Sequence, residues 1–163
     1  LLERLTEGQA PGSLVLIGSS MGAYAISLFA SRSDAPACAV LMAPAFDFIR
    51  RWTERLGPEV VESWRIQGSM PVWHFQFERT LPIGYDLVRD AERHPPFPDV
   101  RVPALIFHGK GDDTVEPSCS ERYAAKHENA RLVLMDSDHG LGDVMDEILD
   151  QAMAFLDPWL SQS

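Results

Sequence analysis

The run Leu14-Val15-Leu16-Ile17-Gly18-Ser19-Ser20-Met21-Gly22 restricts the folds open to this chain more than any other stretch. Apolar residues of strand type end in Gly-x-Ser-x-Gly, and the segment from Ala23 to Ala30 that follows is helix-like. A strand that reverses into a helix this abruptly holds its serine on a sharp, strained turn, the layout of a nucleophile elbow. Ser20, at the centre of the motif, is the candidate nucleophile, whereas Ser19 lies one residue short of it. Gly18 and Gly22 are expected to leave room where side chains would collide with the packed strand and helix. The amides that open the helix favour developing negative charge, and the backbone N–H of Met21 is the candidate oxyanion donor. Taken alone, the motif also reads as an ordinary strand-to-helix turn.

A serine hydroxyl is a weak nucleophile near neutral pH and needs a base, itself oriented by a carboxylate. Two later apolar runs each end in a loop carrying one of these missing types. Pro103–His108 leads into Gly109-Lys110-Gly111-Asp112-Asp113-Thr114-Val115-Glu116-Pro117, and Ala130–Met135 leads into Asp136-Ser137-Asp138-His139-Gly140. Sites in open α/β sheets gather at the carboxyl ends of the strands, so both loops can converge on Ser20.

The segments LVLIGSSMG, PALIFHGKGDDTVEP and RLVLMDSDHG resemble the nucleophile, acid and histidine loops of the α/β-hydrolase family, in that chain order. The resemblance implies that Asp112 orients the base, with Asp113 as the alternate, and that His139 is the base. Glu116 separates Val115 from Pro117 where the family often has Val-Pro directly. Together with Gly68-Ser69-Met70-Pro71, these segments also resemble mitochondrial abhydrolase-domain proteins, which act as acyl-protein thioesterases and acyl-glucuronide esterases. That likeness favours an esterase or thioesterase.

Other candidates read as structural. His108 ends its strand beside Gly109, where local packing or hydrogen bonding is expected. Asp136 and Asp138 flank His139 but point away from it on an extended loop, and read as loop-capping or solvated charge. His74, His94 and His127 have no second ligand at metal spacing, so no metal and no organic cofactor is expected. Cys38 lies in an apolar run and reads as a small buried residue, and Cys119 opens a helix-like segment.

The alternation of strands and helices predicts an α/β fold, a mostly parallel sheet flanked by helices, in one domain over residues 1–163. Strands are expected at Ser13–Gly18, Cys38–Met42, Val102–His108 and Arg131–Met135. Helices are expected at Met21–Ser31, Ser118–Lys126 and Asp143–Leu160, the last turning Val144, Ile148, Met153, Phe155 and Leu156 to the sheet. Residues 46–98 break the rhythm with aromatics and prolines and read as a small cap. In it, Phe48–Leu56 and Glu59–Arg65 look helical, Val72–Glu78 extended and paired with Gln67–Met70, and Ile83–Arg93 helical. Phe46, Trp52, Met70 and Trp73 are the candidate lining of an apolar acyl or aryl pocket. The elbow arrives within the first residues, so the resemblance implies a fold lacking its N-terminal strands and, with them, the second oxyanion donor.

A net charge of −10, with no basic stripe, argues against nucleic-acid binding. No apolar run approaches the roughly 20 residues of a membrane span, and no leader pattern is visible. Two cysteines form no disulfide framework, in keeping with a reducing compartment; the cytoplasm is the expected location, with the mitochondrion as the other. The expected function is therefore a serine hydrolase for a small-molecule ester or thioester, working through an acyl-enzyme on a Ser-His-Asp triad. A carbon–carbon hydrolase or peptidase with the same triad, and a non-catalytic binding module, are the alternatives.

Overall fold

Alternating apolar strands and amphipathic helices build a four-stranded parallel sheet in this computed structural model, which describes residues 2–74 and 77–161. In chain order the elements are α1 (Leu2–Leu5), β1 (Leu14–Ser19), α2 (Met21–Ala30), β2 (Pro36–Met42), α3 (Phe48–Leu56), α4 (Pro58–Gln67), β3 (Ser69–His74) and β4 (Arg79–Gly84). They continue with α5 (Asp86–Ala91), β5 (Ala104–Gly109), α6 (Pro117–Ala124), β6 (Ala130–Met135) and α7 (Met145–Leu160). The chain divides into two units, one of Leu1–Phe46 with Phe97–Ser163 and the other of Asp47–Pro96.

The first unit holds the parallel sheet, ordered β1-β2-β5-β6. Every residue of β5 is buried, and β2 is nearly as dry, which is why both read as unbroken apolar runs rather than alternating ones. The pleat sends Cys38, Val40, Leu105 and Phe107 into one core cluster, where Ile148, Ala152 and Leu156 of α7 meet them. Those three helical residues recur at four-residue intervals and form the buried stripe. Met153, expected on that stripe, is 56% exposed: it follows Ala152 by one residue and so points about 100° away. Val144 and Phe155 pack partly against the same cluster. In α2, Ala23, Ser27 and Ala30 are buried, and small side chains there let the helix lie close to β1 and β2.

Register places the site. Ser19 pairs with Met42, Met42 with Phe107, and Phe107 with Val133, so all four strands finish along one edge. The segments leaving that edge carry Ser20, Asp112 and His139.

The second unit contains α3, α4, α5 and an antiparallel ribbon of β3 and β4. Pro58 opens α4, where its missing N–H costs nothing, and Gly68 closes it at a φ of 76°. Trp64 is the unit's anchor: fully buried, it donates its indole N–H to the Ile83 carbonyl at 2.9 Å and meets Trp52 and Tyr85 edge-on. Two expectations are corrected here. The partner of the extended segment is downstream, Arg79–Gly84, not Gln67–Met70, and Ile83 belongs to that strand, opposite Met70. Helix α5 accordingly starts at Asp86, after the strand has ended at Gly84, and the two-stranded ribbon, with two free edges, tolerates the facing Pro71 and Pro82. Residues 75 and 76, inside the expected strand, lie outside the described residues.

Candidate active site

Ser20 occupies the turn between β1 and α2 with φ 51° and ψ −120°, a sparsely populated conformation for a residue with a side chain. Strain of this kind costs about 1–3 kcal/mol and persists only when the surroundings enforce it. They do so through both backbone groups: the Ser20 N–H donates to Met42 O at 2.8 Å, and its carbonyl accepts from Tyr24 N and Ala45 N, each at 3.1 Å. Gly18 is required by space, since a Cβ there would lie 2.9 Å from Ala23 N. Gly22 is not: a Cβ there meets no described atom within 4 Å, because that position faces outward on the first turn of α2. The expected crowding therefore holds for Gly18 alone.

His139 Nε2 lies 3.1 Å from Ser20 Oγ, and His139 Nδ1 lies 2.7 Å from Asp112 Oδ2. Carboxylate, imidazole and hydroxyl thus form one continuous chain. The Asp112 side chain is fully buried, and its other oxygen, Oδ1, accepts from Thr114 N at 2.9 Å and Val115 N at 2.8 Å. Those two amides anchor Oδ1, and Oδ2 faces the imidazole. Asp113 is exposed and its Oδ1 accepts from Thr114 Oγ1. Of the two aspartates, Asp112 faces His139.

The histidine loop is tied down separately. Ser137 donates to Asp143, and Asp138 Oδ1 accepts the Gly140 amide at 2.8 Å, an Asx turn around His139. This is a loop-capping contact for Asp138, as its position on the extended loop suggests. Gly109 then lets the acid and histidine loops meet: a Cβ there would stand 2.2 Å from Asp138 O and 2.5 Å from Ser137 O. Gly109→Ala is therefore expected to lower the unfolding free energy by about 3 kcal/mol, the upper range for overpacking, as read in chemical denaturation.

Met21 contributes an amide from the first turn of α2, one of those a helix leaves without an intrahelical partner. Phe46, expected to line a pocket, is fully buried instead. Its ring stacks 4.5 Å from Tyr123 and sits 5.8 Å from Phe97, so it presents no surface to a ligand. Trp52 and Met70 are half-buried in the second unit, and Trp73 is 52% exposed on the ribbon.

His108 packs and hydrogen-bonds locally, as expected, and its approach to the acid is what sequence reasoning missed. Fully buried, it reaches Asp112 Oδ2 at 3.1 Å, Val115 O at 2.8 Å and Ser120 Oγ at 2.7 Å. Its place four residues before the acid, at the end of a strand, was the available signal. Burial pushes the Cys38 thiol up to about 11, which holds it as an inert thiol. Among the described residues, no group of three or more His, Cys, Asp or Glu side chains is placed to hold a metal ion, and no helix is long and apolar enough to cross a membrane.

Comparison with known proteins adds the following. The profile of the Uncharacterised protein family (UPF0227) matches residues 1–157. No curated protein matches the sequence. Among solved structures, alpha/beta hydrolase domain-containing protein 10 from mouse superposes with a TM-score of 0.71 at 20% identity, covering 93% of this chain and 67% of that one. Est1E from Butyrivibrio proteoclasticus with ferulic acid bound gives 0.72 at 20% identity, over 89% of this chain and 59% of that one. The Pyrococcus furiosus esterase Pf2001 gives 0.55 at 18% identity, over 89% and 53%. The chain thus spans between 53% and 67% of the length of these structures. Likeness at this identity establishes the α/β-hydrolase fold.

Proposed function

Because the chain belongs to the Uncharacterised protein family (UPF0227) and has the α/β-hydrolase fold, we propose that it is a serine hydrolase cleaving a carboxylic ester or thioester through an acyl-enzyme. The single observation that carries this reading is the Ser20–His139–Asp112 chain, with contacts of 3.1 and 2.7 Å, on a strained elbow.

Ser20 Oγ attacks the acyl carbon as His139 Nε2 takes its proton. The imidazolium that results donates its Nδ1–H to Asp112 Oδ2, which stabilises the charge and keeps the ring in the productive tautomer. The Met21 N–H holds the oxyanion. Collapse of the tetrahedral adduct breaks the bond to the alcohol or thiol, which leaves with the proton from His139. Water, deprotonated by the same nitrogen, then releases the acid and restores Ser20. Asp112, buried and held by the Thr114 and Val115 amides, orients the base without taking the proton itself.

The esterase name of the Pyrococcus furiosus structure supports a carboxylic ester as the first substrate class to try.

The test is mass spectrometry of the intact chain after treatment with an alkyl fluorophosphonate. One adduct, mapped to Ser20, is the expected result, followed by turnover in a panel of p-nitrophenyl esters and acyl thioesters. A folded chain that acquires no adduct overturns the reading and leaves the site as a binding surface.

A further inference from the structure

We propose that His108 is a second, buried histidine of the site: a positioning residue that holds the Asp112 carboxylate in place for His139. This inference rests on the hydrolase reading for its effect on turnover, but its geometry stands without it. The Asp112 and His108 side chains are both wholly inaccessible to solvent, so each polar atom must find its partner within the protein. His108 Nε2 lies 2.8 Å from Val115 O and 3.1 Å from Asp112 Oδ2. A carbonyl only accepts, so this nitrogen carries a hydrogen, which it donates to Val115 O while the same edge of the ring lies against the carboxylate. On the opposite side of the ring, Nδ1 lies 2.7 Å from Ser120 Oγ, and a hydroxyl can donate to the bare nitrogen.

The consequence is a buried carboxylate with polar partners around both oxygens. Asp112 Oδ1 takes the Thr114 and Val115 amides, while Oδ2 is bonded to His139 Nδ1 and lies 3.1 Å from the polar edge of His108 at Nε2. Two amides alone leave the carboxylate free to tilt about the axis through Oδ1. His108 closes that freedom from the sheet side, because it rides on β5, all of whose residues are buried. Ser120 on α6 fixes the ring in turn, so the position of Asp112 is referred to a strand and a helix rather than to its own loop.

Three variants test this: His108→Leu, which removes the donor; His108→Gln, whose amide keeps one at a similar reach; and Ser120→Ala, a milder change that frees the ring. Two readouts are taken on the full chain. The first is the rate of Ser20 modification by an alkyl fluorophosphonate, with p-nitrophenyl acetate turnover normalised to titrated sites. The second, which needs no turnover, is the low-field proton resonance of His139 Nδ1–H, identified by its loss in His139→Ala. His108→Leu is expected to slow modification and kcat about tenfold, the loss of one close polar contact to a buried carboxylate, at unchanged KM. It should also shift or broaden the resonance, with Gln restoring both readouts and Ser120→Ala falling between. Unchanged resonance and rates in folded His108→Leu, or in Ser120→Ala if the leucine variant does not fold, overturn the proposal. A wild-type chain inert to the fluorophosphonate whose resonance still depends on His108 overturns the hydrolase reading alone.

Discussion

Ser20→Ala is expected to reduce kcat for any ester or thioester substrate by about a millionfold, the scale of losing the nucleophile of a cooperating triad. The loss should appear almost wholly in kcat. In the proposed mechanism the missing Oγ is the atom that forms the acyl-enzyme, and no neighbouring hydroxyl can replace it: Ser19, one residue earlier, is still part of β1 and has its backbone paired with Met42. His139→Ala should cost nearly as much, and combining the two should add little, because a base with no nucleophile has nothing to activate. Removal of Oγ leaves the turn's backbone bonds to Met42, Tyr24 and Ala45 in place. Thermal stability should therefore stay the same or rise slightly. A burst-phase assay with p-nitrophenyl acetate gives the comparison directly, and retention of a burst in Ser20→Ala would sink the assignment.

Asp112→Asn is expected to lower kcat by about four orders of magnitude while the chain stays folded. The direction follows from which way the amide must turn. Oδ1 accepts from two backbone amides, Thr114 and Val115, so the oxygen of asparagine is bound to that side. Its NH2 group then faces His139 Nδ1, which must become the acceptor. The imidazole proton moves to Nε2, the nitrogen facing Ser20, and the base can no longer take the serine proton. Asp113→Asn, on an exposed side chain, should change kcat by less than about twofold, within the usual range for surface substitutions. Steady-state kinetics on the two single variants separates them, and a large loss in Asp113→Asn with little in Asp112→Asn would reverse the assignment.

Much of the parallel sheet was legible in the sequence, because β2 and β5 are buried on both faces and announce themselves as continuous apolar runs. The strand-end loops were legible for the same reason: an apolar run that stops at a polar loop marks a carboxyl edge. Contacts that are distant in sequence were not legible. Nothing in the local pattern around Gly109 says that the backbone of residues 137 and 138 will lie against it. Nor does the pattern around Phe46 reveal that Tyr123 will cover it. The ribbon of the second unit misled for a different reason. Ile83, Leu87 and Ala91 have helical spacing, yet Ile83 pairs across the ribbon with Met70, and tertiary pairing overrode the local period.

The separation of the three side chains along the chain has a bearing on synthesis. Asp112 and His139 are 27 residues apart, and Ser20 and His139 are 119 apart. A ribosome adding roughly 5 to 20 residues per second exposes the serine on the order of ten seconds before its base exists. The elbow can be formed early by its own strand and helix, but it stays chemically silent until the far edge of the sheet has docked. If the proposed serine-hydrolase chemistry holds, the nascent chain is spared premature acylation by its own connectivity, and serine reactivity becomes a clock for the last long-range step of folding.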